Sequence, residues 1–157
     1  MNLILIRHAK TEKTSFTGQD VDRKLTEKGL LQAMKLNDII SEYNLNNYDV
    51  WCSVAVRTKQ TLSCFDKNFP TKNIAFKNEL YMATGIQIRN LIFNADTDKD
   101  LLIIGHNNGI SEIASYFTGE DIHLNTATFV HITFDNMTRK GWSADIGRIK
   151  KIVNTIY

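Results

Sequence analysis

Two uninterrupted apolar runs, at residues 3–6 and 101–104, constrain the fold of this chain more than any other feature of its sequence. Runs of Leu and Ile without a polar residue are typical of central strands that are buried on both faces of a parallel sheet. Each run is followed closely by a histidine, His8 in the first case and His106 in the second. The sequence therefore predicts two central strands that each end at a polar loop.

Helix-like and strand-like segments alternate along the chain. Because parallel strands need crossover connections, this alternation predicts an α/β fold. We expect a three-layer sandwich, with a mostly parallel central sheet and helices on both faces, formed as one domain over residues 1–157. Further strands are predicted at 49–53 and 74–76, two or three closing strands within 128–134 and 142–153, and helices at 26–43, 56–65, 110–117 and after Gly85.

The first predicted helix follows a polar stretch at 10–24 that we expect to be a long loop, and loops of this length are usually functional. Thr26 is a candidate N-cap, because its hydroxyl can accept a hydrogen bond from a free backbone N–H. Apolar residues then recur at positions that approximate one face of a helix. The residues predicted to be buried on this face are Leu30, Leu31, Met34, Ile39 and Ile40.

The composition bounds the class of protein. A chain of 157 residues that is 43% apolar can bury one sizeable core. Nineteen Lys and Arg against 17 Asp and Glu leave a net charge of +2. So small a charge gives no reason to expect nucleic acid or a membrane surface as a partner, and any attraction for anions must come from a local cluster.

The sequence does not predict export or membrane insertion. The apolar segment that follows Met1 is interpreted as a buried strand rather than a signal peptide, and no apolar run approaches the roughly 18 residues of a membrane span. Cys52 and Cys64 have no metal-ligating neighbours at useful spacing, so we interpret them as small hydrophobes in a reducing compartment. We therefore predict a cytoplasmic protein.

Four polar residues follow the predicted strands near the point where each strand ends: Arg7, His8, Arg57 and His106. In open α/β sheets, ligands bind beyond the carboxyl ends of the strands, so these side chains would converge if their strands are neighbours. A single histidine at such a place is more often a structural hydrogen-bonding residue. The four together favour a functional site.

Two arginines and two histidines suit phosphoryl transfer. The transition state spreads negative charge over three equatorial oxygens, and planar guanidinium groups bind such oxygens in pairs. Arg7 and Arg57 can supply this clamp. His8 can attack phosphorus through a neutral ring nitrogen, which nearby positive charges favour. Its other ring nitrogen should then donate to an acceptor such as a backbone carbonyl.

Four segments, taken together, resemble the motifs of the histidine phosphatase superfamily, also called phosphoglycerate mutase-like. They occur in the family's order and span residues 3 to about 118. They are LIRHAK at 5–10 (family Arg-His-Gly), DRKLTEKG at 22–29 (Leu-Thr-x-x-Gly), SVAVRTKQT at 53–61 (Ser-Pro-x-x-Arg-Ala-x-Gln-Thr) and LIIGHNNG at 102–109 (Gly-His-Asn-x-Gly).

The resemblance implies a phosphoglycerate mutase-like fold in which His8 is the phosphorylated nucleophile. It also implies that Arg7, Arg57 and His106 bind the phosphoryl group. Three positions depart from the family pattern, since Ala9 replaces a glycine, Val54 a proline and Thr58 an alanine. Because Ala9 has a Cβ, we expect its backbone to avoid positive φ. The four central positions are all retained.

The short chain leaves little sequence between Glu79 and the strand at 101–104 for a lid over the pocket. In this it is similar to the SixA-type phosphohistidine phosphatases of the superfamily. An open site would admit a histidine-phosphorylated protein, such as a phosphotransfer domain, in a signalling pathway. Glu79 is the candidate general acid, because it precedes Leu80-Tyr81 between Arg57 and His106.

The remaining polar and aromatic candidates receive lesser roles. Thr11 and Asn107 are candidate donors of phosphate hydrogen bonds from the same two loops. His123 and His131 are interpreted as structural residues, and Trp51 and Trp142 as packing residues. No residues stand at metal-ligand spacing, and we find no glycine-rich nucleotide loop, so neither metal nor cofactor is expected.

Three alternatives to a SixA-type enzyme remain open. The first is a phosphatase for small phosphomonoesters. The second is an isomerase of the phosphoglycerate mutase type, against which the short chain argues, since reorienting an intermediate needs a closed pocket. The third is a non-catalytic phosphate-binding module, against which the retention of His8 and His106 argues.

Overall fold

The computed structural model describes residues 1–155, which form a six-stranded mixed sheet and four α-helices. The strands are β1 (Asn2–Arg7), β2 (Tyr48–Ser53), β3 (Ile74–Lys77), β4 (Asp100–Gly105), β5 (Thr128–Thr133) and β6 (Arg148–Asn154). The helices are α1 (Glu27–Ile40), α2 (Val56–Ser63), α3 (Gly85–Phe93) and α4 (Gly109–Thr118). The predicted α/β fold is confirmed.

The strand order is β3-β2-β4-β1-β5-β6. The pairings of β3 with β2, β2 with β4 and β4 with β1 are parallel, whereas β5 runs antiparallel to β1 and β6 antiparallel to β5. The two predicted central strands are therefore direct neighbours, with Leu3 paired to Leu101 and Ile6 to Ile104. The tail adds two antiparallel strands to the edge of a parallel sheet.

Side chains of β1 point alternately into two separate cores. Leu3 and Leu5 pack into a cluster with residues of α3 and α4, whereas Ile4 and Ile6 pack into a second cluster with residues of α1 and α2. This period of two is inherent to a strand, and here both faces are covered by helices. The three-layer arrangement that the sequence predicted is confirmed.

The start of α1 is fixed against the segment that follows β1. Thr26 caps the helix as predicted, since its hydroxyl accepts a hydrogen bond of 3.0 Å from the Gly29 N–H. A Cβ on Gly29 would lie only 2.0 Å from the Lys10 carbonyl oxygen. Gly29 therefore allows a close approach that a larger residue would prevent.

The apolar face predicted for α1 is wrong in the first half of the helix. Leu30, Leu31 and Met34 are 43%, 50% and 59% exposed, whereas Ile40 is buried as predicted. The helix ends at Ile40 instead of near residue 43. The buried face comprises Gly29, Gln32, Ala33, Leu36 and Ile40. Small residues occupy its N-terminal half because the helix lies close to residue 10, and the Gln32 side chain accepts a hydrogen bond from the Lys10 N–H at 2.9 Å.

Several residues that we interpreted as structural have structural roles. Trp51 and Trp142 are buried, and Trp142 stacks on Phe134 with ring centroids 3.9 Å apart. His131 is buried and its Nε2 hydrogen-bonds the Asn2 side chain, while His123 is exposed. Cys52 is fully buried and Cys64 partly so, and both are free thiols. Within residues 1–155, no helix has the length and apolar character of a membrane span.

Candidate active site

The carboxyl ends of three adjacent strands carry the predicted site residues to one edge of the sheet. β4 lies between β1 and β2 and is followed by His106. β1 ends at Arg7 and is followed by His8, while β2 leads through a two-residue turn into α2, which begins at Val56 and carries Arg57. The order of the strands therefore brings all four residues together.

His8 is only 8% exposed, and its backbone N–H donates to the Gly105 carbonyl at 3.1 Å. Its Nδ1 lies 2.7 Å from the Ala9 carbonyl oxygen. Because a carbonyl can only accept, Nδ1 must carry the proton, so a neutral ring has its lone pair on Nε2. Nε2 has no hydrogen-bond partner among the described residues.

The surroundings of His8 keep its ring neutral. Burial lowers the pKa of His8 most, the hydrogen bond to Ala9 opposes this, and the charges of Arg57, Arg7 and Arg23 lower it further, to about 4. The sequence predicted this direction from the arginines, but loss of solvation is the larger cause. At neutral pH the ring is therefore neutral and has a free electron pair on Nε2.

His106 lies beside His8, with ring centroids 5.2 Å apart, and is 2% exposed. Its Nε2 lies 2.8 Å from the Ser53 hydroxyl oxygen. Its Nδ1 is buried and has no partner within the described part of the chain. Burial, followed by the charges of His8 and Arg57, lowers the pKa of His106 to about 3.

Arg7 is held by the loop that precedes β5. Its Nη1 donates to the Leu124 carbonyl at 2.7 Å, and the Asn107 amide donates to the same oxygen at 2.9 Å. Asn107 also accepts a hydrogen bond of 2.8 Å from Ser111. The Asn107 side chain thus braces the loop, and its predicted contact with phosphate remains a prediction.

Arg57 is 2% exposed and binds a residue that the sequence analysis did not single out, Asp20. Nη1 of Arg57 donates to the Asp20 carbonyl at 2.7 Å, and Nη2 donates to the Asp20 carboxylate at 2.8 Å. The Tyr81 hydroxyl donates to the same carboxylate oxygen at 2.8 Å. Asp20 lies in a short 3-10 turn (Asp20–Asp22) within the predicted loop.

Buried donors without partners mark where a ligand would bind. Nε of Arg7, Nε of Arg57 and Nδ1 of His106 are all buried and make no hydrogen bond within residues 1–155. Buried polar atoms are normally paired, so a cluster of unpaired ones needs an explanation. Arginine Nε can only donate, and His106 Nδ1 donates when Ser53 donates to Nε2. The arrangement suits an anion with several acceptor oxygens.

The sequence model of the histidine phosphatase superfamily (branch 1) matches residues 3–80, which include Arg7, His8 and Arg57. The chain belongs to the histidine phosphatase superfamily. An uncharacterized chloroplastic protein of Arabidopsis thaliana is 30% identical over 135 residues, covering 79% of this chain and 62% of that protein. The chain thus spans less than two thirds of the length of this relative.

Solved structures with the same fold include two SixA proteins. A candidate phosphohistidine phosphatase SixA from Nakamurella multipartitia has a TM-score of 0.81 at 20% identity, covering 98% of this chain and 95% of that one. The protein histidine phosphatase SixA complexed with tungstate has a TM-score of 0.75 at 16% identity, covering 99% and 97%. At such identities the likeness shows a shared fold.

Residues of the superfamily's motifs hold the loop that carries His8. The Ala9 N–H donates to the Thr61 hydroxyl at 3.1 Å, which fixes this loop against α2. The Ala127 N–H lies 3.1 Å from the Arg7 carbonyl oxygen and 3.0 Å from that of His8. Ala9 itself has no positive φ, as its replacement of the superfamily's glycine predicted. The departure at residue 9 leaves the loop intact.

Two residues predicted for the site, Thr11 and Glu79, make no hydrogen bond with Arg7, His8, Arg57 or His106 among the described residues. The Thr11 hydroxyl accepts a hydrogen bond from Arg23, so it supports the loop that carries Asp20. Glu79 is exposed in a 3-10 turn (Asn78–Leu80) and makes no hydrogen bond or ion pair with the described residues. Instead Tyr81 reaches the pocket, with its ring edge-on to His106 at 5.6 Å between centroids. Both roles remain predictions.

Metal ligands do not cluster here. No group of three His, Cys, Asp or Glu side chains that could hold a metal occurs in the part of the chain that the structure describes. The positive charge of the pocket comes from the guanidinium groups of Arg7 and Arg57. Ser53, Asp20 and Tyr81 were missed by the sequence analysis, although Ser53 opens the matched motif at 53–61.

Proposed function

We propose that the protein is a metal-independent phosphatase in which His8 takes a phosphoryl group from the substrate and passes it to water. The observation that carries this proposal is the neutral ring of His8. Its Nδ1 is engaged by the Ala9 carbonyl and its Nε2 is unpaired, next to two arginines with unpaired Nε donors. A ring held in this tautomer is suited to nucleophilic attack.

The reaction has two displacements. In the first, the Nε2 lone pair forms a bond to phosphorus while the bond to the leaving group breaks and its electrons depart with that group. Arg7, Arg57 and His106 donate to the equatorial oxygens, where negative charge accumulates. In the second, water attacks the phosphorus, the P–N bond returns its electrons to His8, and the water proton is released with phosphate.

We take the physiological substrate to be protein phosphohistidine, as in SixA-type enzymes. The shared fold supports this choice, as does the absence of any contact between Glu79 and the pocket. An alkoxide needs a proton in order to leave, whereas an imidazole protonated on its second nitrogen leaves as a neutral molecule. A site with weak acid assistance therefore favours phosphohistidine. Such a substrate belongs to cytoplasmic signalling.

Small phosphomonoesters are a second candidate class. A cavity of about 390 Å³ opens beside Arg7 and is lined mainly by polar side chains. It could hold the body of a metabolite whose phosphate reaches Arg7. The residues that line it are Arg7, Lys10, Lys28, Gln32, Asn125 and Thr126.

Phosphate release measured without added metal tests the proposal. We expect turnover of a histidine-phosphorylated phosphotransfer domain and slower turnover of p-nitrophenyl phosphate. Rapid-quench mass spectrometry should find the covalent phosphoryl group on His8, and His8→Ala should abolish both label and turnover. His123→Ala, at an exposed histidine, is the matched control. Label on His106 would contradict the nucleophile, and a preference for small esters would favour the second substrate class.

Glu79 is tested separately as the proton donor. If Glu79 is the proton donor, Glu79→Gln should slow hydrolysis of an alkyl phosphate strongly, because the alkoxide cannot leave without a proton. It should affect phosphohistidine much less. Equal losses on the two substrates would remove the leaving-group argument but would leave His8 as nucleophile.

A further inference from the structure

Asp20 accepts hydrogen bonds from three side chains at the pocket. Arg57 donates to both its backbone carbonyl and its carboxylate, Tyr81 donates to the same carboxylate oxygen, and Arg23 donates to the other oxygen at 2.9 Å. The Asp20 side chain is nonetheless 43% exposed, so it lies at the mouth of the pocket above the buried Arg57.

These contacts conflict with the binding of a phosphoryl group. Both terminal nitrogens of Arg57 are directed at Asp20. The Asp20 carbonyl and one Asp20 carboxylate oxygen occupy the terminal edge of the guanidinium, so a phosphoryl group cannot form paired hydrogen bonds with Nη1 and Nη2 until Asp20 leaves. Two anions side by side would also repel each other in a pocket that excludes most water.

Electrostatics explain why Asp20 lies against Arg57. Arg7 and Arg57 lie in one pocket, and a carboxylate offsets their positive charge. Burial raises the pKa of the Asp20 carboxyl, but hydrogen bonds from Tyr81 and Arg57 and the charges of Arg57 and Arg23 outweigh it, so the pKa lies below its ordinary value. Asp20 is therefore a carboxylate at neutral pH.

We propose that Asp20 is the resident counter-ion of Arg57, and that a phosphoryl group must displace it to bind. Asp20 then sets the affinity of the site for phosphoryl ligands and for the phosphate product. The inference rests on the proposed function, because it takes the pocket to be a phosphoryl site. It adds a determinant of affinity that the four motif residues do not include.

The loop can release Asp20 without unfolding. Its base is closed by a hydrogen bond of 2.9 Å from the Glu12 N–H to the Lys24 carbonyl and by a bridge between Thr11 and Leu25. Bonds within the loop, such as that from the Thr17 hydroxyl to Asp22 at 2.6 Å, would move with it. Withdrawal of Asp20 breaks its hydrogen bonds with Arg57 and Tyr81. Arg23 donates both to Asp20 and to Thr11 at the base of the loop, so it must move with Asp20 or release it.

Binding of tungstate and of inorganic phosphate, measured by titration calorimetry, tests this inference. Asp20→Asn keeps the shape of the side chain but removes its charge. We expect it to tighten both dissociation constants by about 2- to 5-fold, the upper part of the range for loss of one partly exposed competing ion pair. Asp22→Asn is the matched control, since it removes the same charge from the same turn at a residue that does not contact Arg57. It should change binding by less than about 2-fold.

A second variant guards against an indirect effect of Asp20→Asn. Tyr81→Phe retains the ring beside His106 but removes one hydrogen bond to Asp20, so a smaller tightening in the same direction is expected. In turnover, Asp20→Asn should lower KM and leave kcat within about 3-fold.

Unchanged or weaker oxyanion binding in Asp20→Asn, relative to Asp22→Asn, would overturn the counter-ion role. So would a loss of kcat with KM unchanged, which would identify Asp20 as an aid to catalysis. Because binding is measured without turnover, the two proposals separate. Tightened binding in a protein that hydrolyses no phosphoryl substrate would refute the phosphatase and retain this inference.

Discussion

His8 and His106 lie in one pocket, and at the scale of single residues both owe their chemistry first to loss of solvent. Each is almost fully buried, and the nearby arginines add to the cost of a further positive charge. A buried histidine with a hydrogen-bonded Nδ1 has one tautomer and one free electron pair. The fold alone therefore sets the tautomer and the protonation state of His8.

The protonation of His8 can be observed directly. With the pKa lowered to about 4, we expect the ring to remain neutral at pH 5.5, where an ordinary histidine with a pKa near 6.5 would be mostly charged. Nitrogen NMR of labelled imidazole rings, with His8 assigned from the spectrum of His8→Asn, should show a protonated Nδ1 and a bare Nε2. A titration midpoint near 6.5 would contradict the burial argument.

Arg57 offers a second test at this scale. Arg57→Ala should reduce kcat/KM by about 100-fold or more, because it removes donors aimed at charge that develops in the transition state. The fold should persist, since the partner Asp20 is partly exposed and can be solvated. Lys59→Ala, on the exposed side of the same helix, should leave the rate unchanged. Similar rates for the two variants would place Arg57 outside the reaction.

The meeting of Arg7, His8 and His106 depends on strand order. The apolar runs predicted central strands, and convergence was expected only if those strands are neighbours, which the structure shows them to be. Asp20 could not be predicted because the mostly polar, 15-residue loop at 10–24 offers several carboxylates and hydroxyls, and only its folded path selects one. Tyr81 was noticed only as part of the segment beside Glu79.

At the scale of elements, α1 shows how close packing can reverse an apolar pattern. The sequence pointed to its largest hydrophobes, but the helix buries Gly29 and Ala33 because its N-terminal half lies against residue 10. Hydrophobic size predicts burial only where a helix stands at an ordinary distance from its neighbours. That distance is a tertiary property, and it left Leu30, Leu31 and Met34 exposed.

Gly29→Ala tests the close approach of α1 to Lys10, in the segment that follows β1. Alanine normally stabilises a helix interior by about 1 kcal/mol relative to glycine. Here the new Cβ would meet the Lys10 carbonyl at 2.0 Å, so the helix must shift. We expect a net loss of about 1–3 kcal/mol in the free energy of unfolding by urea. Gly141→Ala, where the nearest atom is 3.8 Å away, should lose little. Equal stability of the two variants would show that α1 adjusts freely.

At the scale of the whole molecule, burial of histidines makes stability depend on pH. The pKa values of His8, His106 and His131 are lowered from 6.5 to about 4, 3 and 4, mainly by burial. Below pH 6.5 these histidines bind protons in the unfolded chain but not in the folded protein. The free energy of unfolding therefore decreases as the pH is lowered. The decline ends below the folded pKa values, and above 6.5 these groups contribute no slope.

Urea denaturation between pH 7 and pH 5 should reveal this dependence. Each histidine contributes at most about 1.4 kcal/mol per pH unit to the slope. His131→Gln keeps a polar partner for Asn2 but removes one titrating group remote from the pocket, so its slope should be smaller than that of the unaltered protein. Identical slopes would mean that His131 titrates alike in both states.

The central position of β4 has a consequence for synthesis on the ribosome. Strands β1 and β2 are not paired with each other, because β4 lies between them and pairs with both. The pairing of β4 with β1 joins residues about 98 apart in sequence. A nascent chain that has emerged as far as α2 already contains His8, Arg7 and Arg57, but nothing yet holds them side by side. Such long-range pairing is slow and leaves apolar strand edges uncovered for its duration. Until residue 105 is available, the nascent chain has every apolar residue of β1 and no partner strand to cover it.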